Sequence, residues 1–166
     1  MVVTYLQYSE EVLTDFFKFQ ILHKSKLKWL YFGLSLLTLA IGLLEIFVFE
    51  SLVLGIIVCV LSVGLVAVFP IQIKRTLKKE VANMINHIDV ELTFSSAGIN
   101  QKVSEKRFAF DEWSKVIELI ETKKYLYFYT NKYEAIIVTK SLLKKGEEDT
   151  LKELARQHNV KYKAKR

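Results

Sequence analysis

Two acidic residues, Glu45 and Glu50, lie in an apolar block, residues 29–73, in which no other side chain is charged. An ionisable residue inside a membrane is costly and commonly marks a proton or ion path. The block offers neither of these acids a basic or histidine partner. At about 1.5 Å rise per helical residue, Glu45 is only ~7 Å from Glu50. The pattern favours acids beside a turn at the membrane surface; proton or ion handling by Glu45 is the alternative.

The other residue types that perform catalysis do not converge on one site. Asp111 and Glu112 are adjacent, so a strand would point them to opposite faces, which does not suit paired-carboxylate catalysis. Glycine-rich phosphate loops and the nucleophile-elbow motif are absent from the sequence. The histidines lie in three separate segments without a carboxylate at metal-ligand spacing, apart from Asp89, which would share an exposed strand face with one of them: His23, His87 and His158. We predict a non-enzymatic protein without metal or cofactor.

Alternating tyrosines in the segment YLYFY could stack nucleic-acid bases. Tyr125, Tyr127 and Tyr129 would share one face of a strand, with lysines nearby, as in single-strand binding platforms. Leu126 and Phe128 would occupy the other face, and a sheet covered on both sides buries aromatic residues easily. The pattern therefore favours packing in a core, and we expect no nucleic-acid partner.

The apolar block is too long for one membrane crossing, which takes roughly 20 residues. We predict transmembrane helices over residues 29–49 and 51–73, joined by a tight turn. Each predicted helix has a stripe of small and polar residues, which lets membrane helices approach closely. The first stripe is Ser35, Thr38, Gly42 and Glu45, and the second is Ser51, Gly55, Cys59 and Ser62. The stripes predict an antiparallel hairpin with Glu45 in or beside the seam.

Basic residues flank both outer ends of the predicted hairpin, whereas its connection contains no lysine or arginine. The positive-inside rule then places both termini in the cytoplasm. The same side chains are candidate contacts with anionic lipids, although they would also serve as ordinary topology determinants. They are Lys24, Lys26 and Lys28 before the first span, and Lys74, Arg75, Lys78 and Lys79 after the second.

The segments outside the spans predict a cytoplasmic α+β arrangement. Residues 1–28 have the pattern of a strand followed by an amphipathic helix, which we expect to pack on the C-terminal domain. Residues 74–87 have the pattern of a basic juxtamembrane helix. Over residues 88–166 the apolar residues recur with a period of two between short turns, which predicts an antiparallel meander. A helix over 147–157 and a basic tail end the chain.

Three segments carry a resemblance to a known family. They are TFSSAGI at 93–99, WSKVIELIETKKYLYFY at 113–129 and AIIVTKSLL at 135–143. In this order, after a strand, a helix and two spans, they resemble the YcxB-like family of bacterial membrane proteins. The sequence departs from that pattern at Thr139, where proline is expected. The resemblance implies a domain like the bacterial pleckstrin-homology (PH) fold, a bent sheet closed by a C-terminal helix, with no established activity.

These observations predict an α+β protein of the bacterial cytoplasmic membrane. It would have two spans and present a PH-like domain at the inner leaflet, where membrane lipids or an unidentified protein would be the partner. The alternative function is a small transporter or channel subunit that uses Glu45. Two helices cannot enclose a pathway, so that function requires a homo-oligomer.

Overall fold

The computed structural model describes residues 1–84, 89–104 and 107–165 of the 166-residue chain. The chain divides into two compact units. One, called here the helical unit, is Glu10–Ile85. The other, the sheet unit, combines Met1–Ser9 with Asn86–Arg166. The helical unit is therefore an insertion in the sequence of the sheet unit. His87, which was weighed with Asp89 as a metal-binding pair, lies outside the described residues, as does the side chain of Asp89.

The helical unit contains three α-helices and one π-helical turn within its described residues. They are α1 at Glu10–Phe19, the π-helix at Gln20–Lys24, α2 at Leu27–Phe47 and α3 at Leu52–Met84. Helices α2 and α3 are long and apolar enough to cross a membrane. Helix α1 contacts α3, and buries Val12, Leu13 and Phe16. We predicted that this apolar face packs on the C-terminal domain, and that stays a prediction.

Helix α3 continues without a break through Pro70, which removes one backbone hydrogen-bond donor. The basic segment predicted as a juxtamembrane helix is continuous with the second apolar stretch as far as Met84. Residues 85–88, which include the end of that segment, lie outside the described residues. The first apolar helix ends at Phe47, two residues earlier than predicted.

The predicted stripes of small residues form the seam between α2 and α3. The Ser35 hydroxyl donates to the Ser62 carbonyl at 3.0 Å, and the Ser62 hydroxyl donates to the Ser35 carbonyl at 2.8 Å. Nearer the turn, a Cβ atom on Gly42 would lie 2.7 Å from the Cys59 sulfur. A Cβ atom on Gly55 would lie 2.8 Å from the Gly42 carbonyl oxygen. This register confirms an antiparallel pair whose backbones approach closely because the residues between them are small.

The sheet unit contains two four-stranded sheets. The first has the order β1-β2-β3-β4 and the second β7-β6-β5-β8, where neighbours are hydrogen-bonded. Its elements are β1 Val2–Gln7, β2 Asp89–Phe94, β3 Ile99–Ser104, β4 Arg107–Asp111, β5 Glu118–Glu121, β6 Tyr125–Tyr129, β7 Ala135–Thr139, α4 Glu147–Gln157 and β8 Lys161–Ala164. The α+β class is thus confirmed. Consecutive strands pair antiparallel from β2 to β4 and from β5 to β7, but these two runs lie in separate sheets, so the predicted single meander is divided between β4 and β5.

Strand β8 corrects two predictions. The C-terminal segment was expected to be a basic tail, but residues 161–164 form a strand that pairs in parallel with β5. The second sheet is therefore mixed, and the prediction of a wholly antiparallel sheet was wrong. Parallel neighbours need a long crossover connection, and the segment that contains α4 separates β8 from β7. Lysine alternates with tyrosine and alanine over residues 161–164, but all four residues are exposed, so this strand has no buried face.

Aromatic side chains form the core of the sheet unit. Every residue of β6 is buried, on both faces of the strand, which confirms core packing for the three alternating tyrosines. Trp113 follows β4, and its indole N–H donates to the Ser95 carbonyl at 2.8 Å. Its ring packs against those of Phe94 and Phe128 and stacks on His158, with centroids 5.3 Å apart.

The seam predicts opposite outcomes for two glycine-to-alanine substitutions. In Gly55→Ala the new methyl group would overlap Ile46 Cγ1 and lie 2.8 Å from the Gly42 carbonyl oxygen, and such overpacking costs about 1–3 kcal/mol. Gly64→Ala is the matched control, because no atom lies within 4 Å of its Cβ position. Alanine also favours the helix by ~1 kcal/mol over glycine, so this control should be neutral or stabilising.

The measurement is the rate at which a maleimide modifies Cys59, the single cysteine, in mixed micelles of increasing SDS content. Gly55→Ala should expose the thiol at a lower SDS fraction than the native chain, and Gly64→Ala should not. Equal midpoints for the two variants would contradict the close approach at Gly55.

Candidate functional site

The seven predicted membrane-surface residues lie at one end of the helical unit. Ring centroids of Tyr31 in α2 and Phe69 in α3 are 5.1 Å apart and mark this end on both helices. Lys24 is half-buried, and the other six side chains are exposed. These six are Lys26 and Lys28 at the start of α2 and Lys74, Arg75, Lys78 and Lys79 in the last turns of α3. The antiparallel hairpin therefore combines two basic segments that are distant in sequence.

Glu45 and Glu50 lie at the opposite end of the hairpin, at its turn. Glu45 is half-buried in the last turn of α2, and its carbonyl accepts a hydrogen bond from the Ser51 N–H at 2.9 Å. Glu50 is exposed and has a φ of 52°, in the left-handed region that a tight turn uses. Within the described part of the chain, no side chain forms an ion pair with Glu45. This placement agrees with the prediction that the acids mark a turn.

Four charged side chains and one tyrosine, from four separate elements of the sheet unit, form a cluster. It consists of Glu121 at the end of β5, Lys140 after β7, Glu148 and Lys152 of α4, and Tyr162 of β8. None of these residues was a candidate in the sequence analysis. Only the spacing of Glu148 and Lys152, four residues apart on a helix, is a local signal for an ion pair.

The four charged groups form a closed ring of ion pairs. Lys140 Nζ lies 2.6 Å from Glu121 Oε1 and 2.9 Å from Glu148 Oε1. Lys152 Nζ lies 3.0 Å from Glu121 Oε2 and 2.7 Å from Glu148 Oε1. The Tyr162 hydroxyl donates a further hydrogen bond to Glu121. Each carboxylate and each ammonium group thus has two oppositely charged partners, which holds all four side chains in place.

The ring is assembled by backbone pairing rather than by sequence proximity. Parallel pairing aligns Glu121 with Ala164 and so brings Tyr162 to the same sheet. The Lys165 N–H donates to the Glu121 carbonyl at 2.8 Å, and the Lys140 N–H donates to the Lys124 carbonyl at 2.9 Å. These bonds hold the segments after β5, β7 and β8 at the same end of the second sheet.

The ring shifts the acid–base properties of its members. Burial by itself would raise the pKa of Glu121, but hydrogen bonds from Lys140, Tyr162 and Lys152 lower it from 4.5 to about 2. The hydrogen bond from Lys152 lowers the pKa of Glu148 as well. Burial opposes charge on Lys140 and Lys152, yet their bonds to the two carboxylates raise both lysine pKa values. All four groups are therefore charged around neutral pH.

An open cleft of about 360 Å³ lies beside this ring. Four lysines and one glutamate line it, together with a threonine, a tyrosine and an alanine. The lining residues are Glu121, Thr122, Lys123, Lys140, Lys152, Tyr162, Ala164 and Lys165. Glu148 is not one of the lining residues, but it forms ion pairs with two of them, Lys140 and Lys152. Lys123, Lys140 and Lys152 thus place three ammonium groups at the cleft, which makes it a candidate site for an anion.

Comparison with known proteins identifies part of the sheet unit. Residues 94–155 match the model of the family described as YcxB-like protein, which confirms the resemblance carried by the three sequence segments. No curated protein and no solved structure matches the chain. The matched segment runs from the last residue of β2 into α4. It includes Glu121, Lys140, Glu148 and Lys152, and it ends before Tyr162.

The ring predicts a stability difference that depends on pH. Glu121→Gln removes one carboxylate from a partly buried pair, at a cost of about 1 to 2 kcal/mol. That should lower the thermal midpoint at pH 7 by roughly 3 to 6 °C for a chain of this size. Because the folded pKa of Glu121 lies below its ordinary 4.5, its contribution is complete above pH ~4.5 and is lost as pH falls towards 2.

The measurement is the thermal midpoint of the full chain in detergent for the native protein and Glu121→Gln, from pH 7 down to pH 2. Their difference should shrink below pH 5. Glu153→Gln is the control of equal charge change, since that side chain is exposed on α4 and is not a member of the ring, and it should change little at any pH. A difference for Glu121→Gln that does not vary with pH would rule out this coupling.

Proposed function

We propose that this chain, whose residues 94–155 form a YcxB-like domain, is a non-enzymatic integral membrane protein of the bacterial cytoplasmic membrane. Helices α2 and α3 cross the bilayer, and both termini lie in the cytoplasm. The sheet unit is then held at the inner leaflet, where it binds a protein or a lipid. Tethering raises the effective concentration of such a domain at the membrane without new contacts.

The observation that carries this proposal is the outer surface of the hairpin. Large apolar side chains are exposed along both helices; for example, Leu37 is 60 % and Val53 is 72 % exposed. In water such a surface would be an aggregation hazard, whereas in a bilayer lipid tails cover it. The basic end of the hairpin supports the orientation, because clustered lysine and arginine favour the cytoplasmic side.

The strand arrangement supports the PH-like assignment. An antiparallel sheet of four strands, β1 to β4, is followed in sequence by three antiparallel strands, β5 to β7, and by helix α4. This order of strands followed by a helix is similar to the bent sheet with a C-terminal helix that the family resemblance implies. Strand β8 is an addition after the helix.

The chemistry of the ring supports binding rather than catalysis. A carboxylate with a pKa of about 2, such as Glu121, is a weak general base at neutral pH. The lysines have raised pKa values, so they remain protonated and are poor nucleophiles. Charged groups in these states are suited to holding a ligand.

The topology has a direct test in spheroplasts. In a Cys59→Ala background, Glu50→Cys places the thiol at the hairpin turn, and Lys132→Cys places it at the exposed turn between β6 and β7. A membrane-impermeant maleimide should label Glu50→Cys in intact spheroplasts and Lys132→Cys only after permeabilisation. Labelling of both, or of neither, before permeabilisation would contradict two spans with a cytoplasmic sheet unit.

The proposed binding of a partner by the sheet unit is tested by crosslinking in native membranes. Partners recovered with the full chain should be absent when the helical unit alone, residues 10–85, is expressed and found in the membrane fraction. That result would assign partner binding to the sheet unit. Partners that persist with the helical unit would move the function to the hairpin and favour the transporter alternative.

A further inference from the structure

Two lysines of the ion-pair ring line the adjacent cleft in fixed positions. Lys140 and Lys152 each bind both Glu121 and Glu148, so the four groups neutralise one another in fixed positions. Their side chains retain 18 % and 28 % exposure, and both residues line the cleft. A ligand in the cleft therefore meets ammonium groups that are already ordered, which lowers the entropic cost of binding.

Lys140 and Lys152 each retain an N–H donor that the ion pairs do not use. A lysine ammonium group has three N–H donors, and in each of these lysines two acidic partners account for two of them. One donor on each lysine is then left for an acceptor in the cleft. Lys123, which is exposed at the rim, supplies a third ammonium group from a different segment.

The placement of the donors selects the kind of anion. Lys140, Lys152 and Lys123 line the cleft from three segments of the chain. A phosphomonoester carries about −1.5 to −2 at pH 7 and presents three acceptor oxygens. Its negative charge suits these ammonium groups, and its three oxygens match donors from three directions. A cleft of about 360 Å³ also has room for the group that carries the phosphate.

We propose that this cleft binds a phosphomonoester, with Lys123, Lys140 and Lys152 as donors to the phosphate oxygens. This deepens the proposed function, because it names the ligand class of the sheet unit. The phosphate belongs either to a soluble metabolite or to a lipid head group, and the group is bound without being cleaved.

The test uses calorimetric titration of the full chain in a neutral maltoside detergent with glycerol 3-phosphate at pH 7.5. Saturable binding is expected, with glycerol giving no signal and added salt weakening the affinity. Lys123→Gln should weaken binding roughly fivefold, as for one exposed charge contact. Lys145→Gln is the matched control, because Lys145 is exposed, outside the cleft lining and equal in charge.

Two results would overturn the site. One is the absence of saturable binding to the native chain. The other is an equal effect of Lys123→Gln and Lys145→Gln, which would mean a diffuse response to net charge. Both substitutions are at exposed positions, so circular dichroism should show the native spectrum for each variant.

The source of the phosphate is distinguished in nanodiscs of phosphatidylcholine with and without phosphatidic acid. Weaker apparent affinity for glycerol 3-phosphate in the presence of phosphatidic acid would identify the lipid head group as occupant. Unchanged affinity would identify a soluble ligand, and either result supports the site. Release of inorganic phosphate during these titrations would refute the non-enzymatic function while leaving the binding site intact.

Discussion

The pairing of β1 with β2 is the constraint on which the architecture depends. These strands are antiparallel neighbours from Val2 opposite Phe94 to Gln7 opposite Asp89, although the whole helical unit lies between them in sequence. Closing so long a loop costs more entropy than closing a short one, but the cost grows only slowly with length. The antiparallel helices of the insertion also return the chain towards its start, so the strands need not capture a random coil.

The same pairing explains the division of the N-terminal segment. Residues 1–28 are one stretch of strand and helix by pattern, yet β1 belongs to the sheet unit and α1 to the helical unit. Leu6 is fully buried, and so is Leu92 in the neighbouring strand. The sheet unit therefore includes the first strand, and a C-terminal fragment that begins at residue 88 would lack an edge of its first sheet.

The two units are stabilised by different physical interactions. In a bilayer, lipid tails solvate apolar side chains as well as another helix does, so the hairpin depends on close backbone approach and on hydrogen bonds such as those between Ser35 and Ser62. The sheet unit buries aromatic side chains around Trp113 in the ordinary hydrophobic manner. Its ion-pair ring, at the edge of that core, fixes α4 and β8 to β5 and leaves an ordered basic cleft.

Local composition alone determined the two apolar helices, the basic flanks, the turn at Glu50 and the small-residue stripes, because each is a property of consecutive or helically spaced residues. The same holds for the strands from β2 to β7, in which apolar residues alternate, as in β2, or form a continuous run, as in β6, which is buried on both faces. Tertiary structure decided the rest. Strand β8 has four exposed residues and becomes a strand only through the backbone partner that β5 provides. Lys140, Lys152 and Tyr162 have no local signal in sequence that links them to Glu121. Only the parallel pairing and the crossover through α4 bring both ammonium groups within 3.0 Å of the Glu121 carboxylate and the Tyr162 hydroxyl into hydrogen-bonding contact with it.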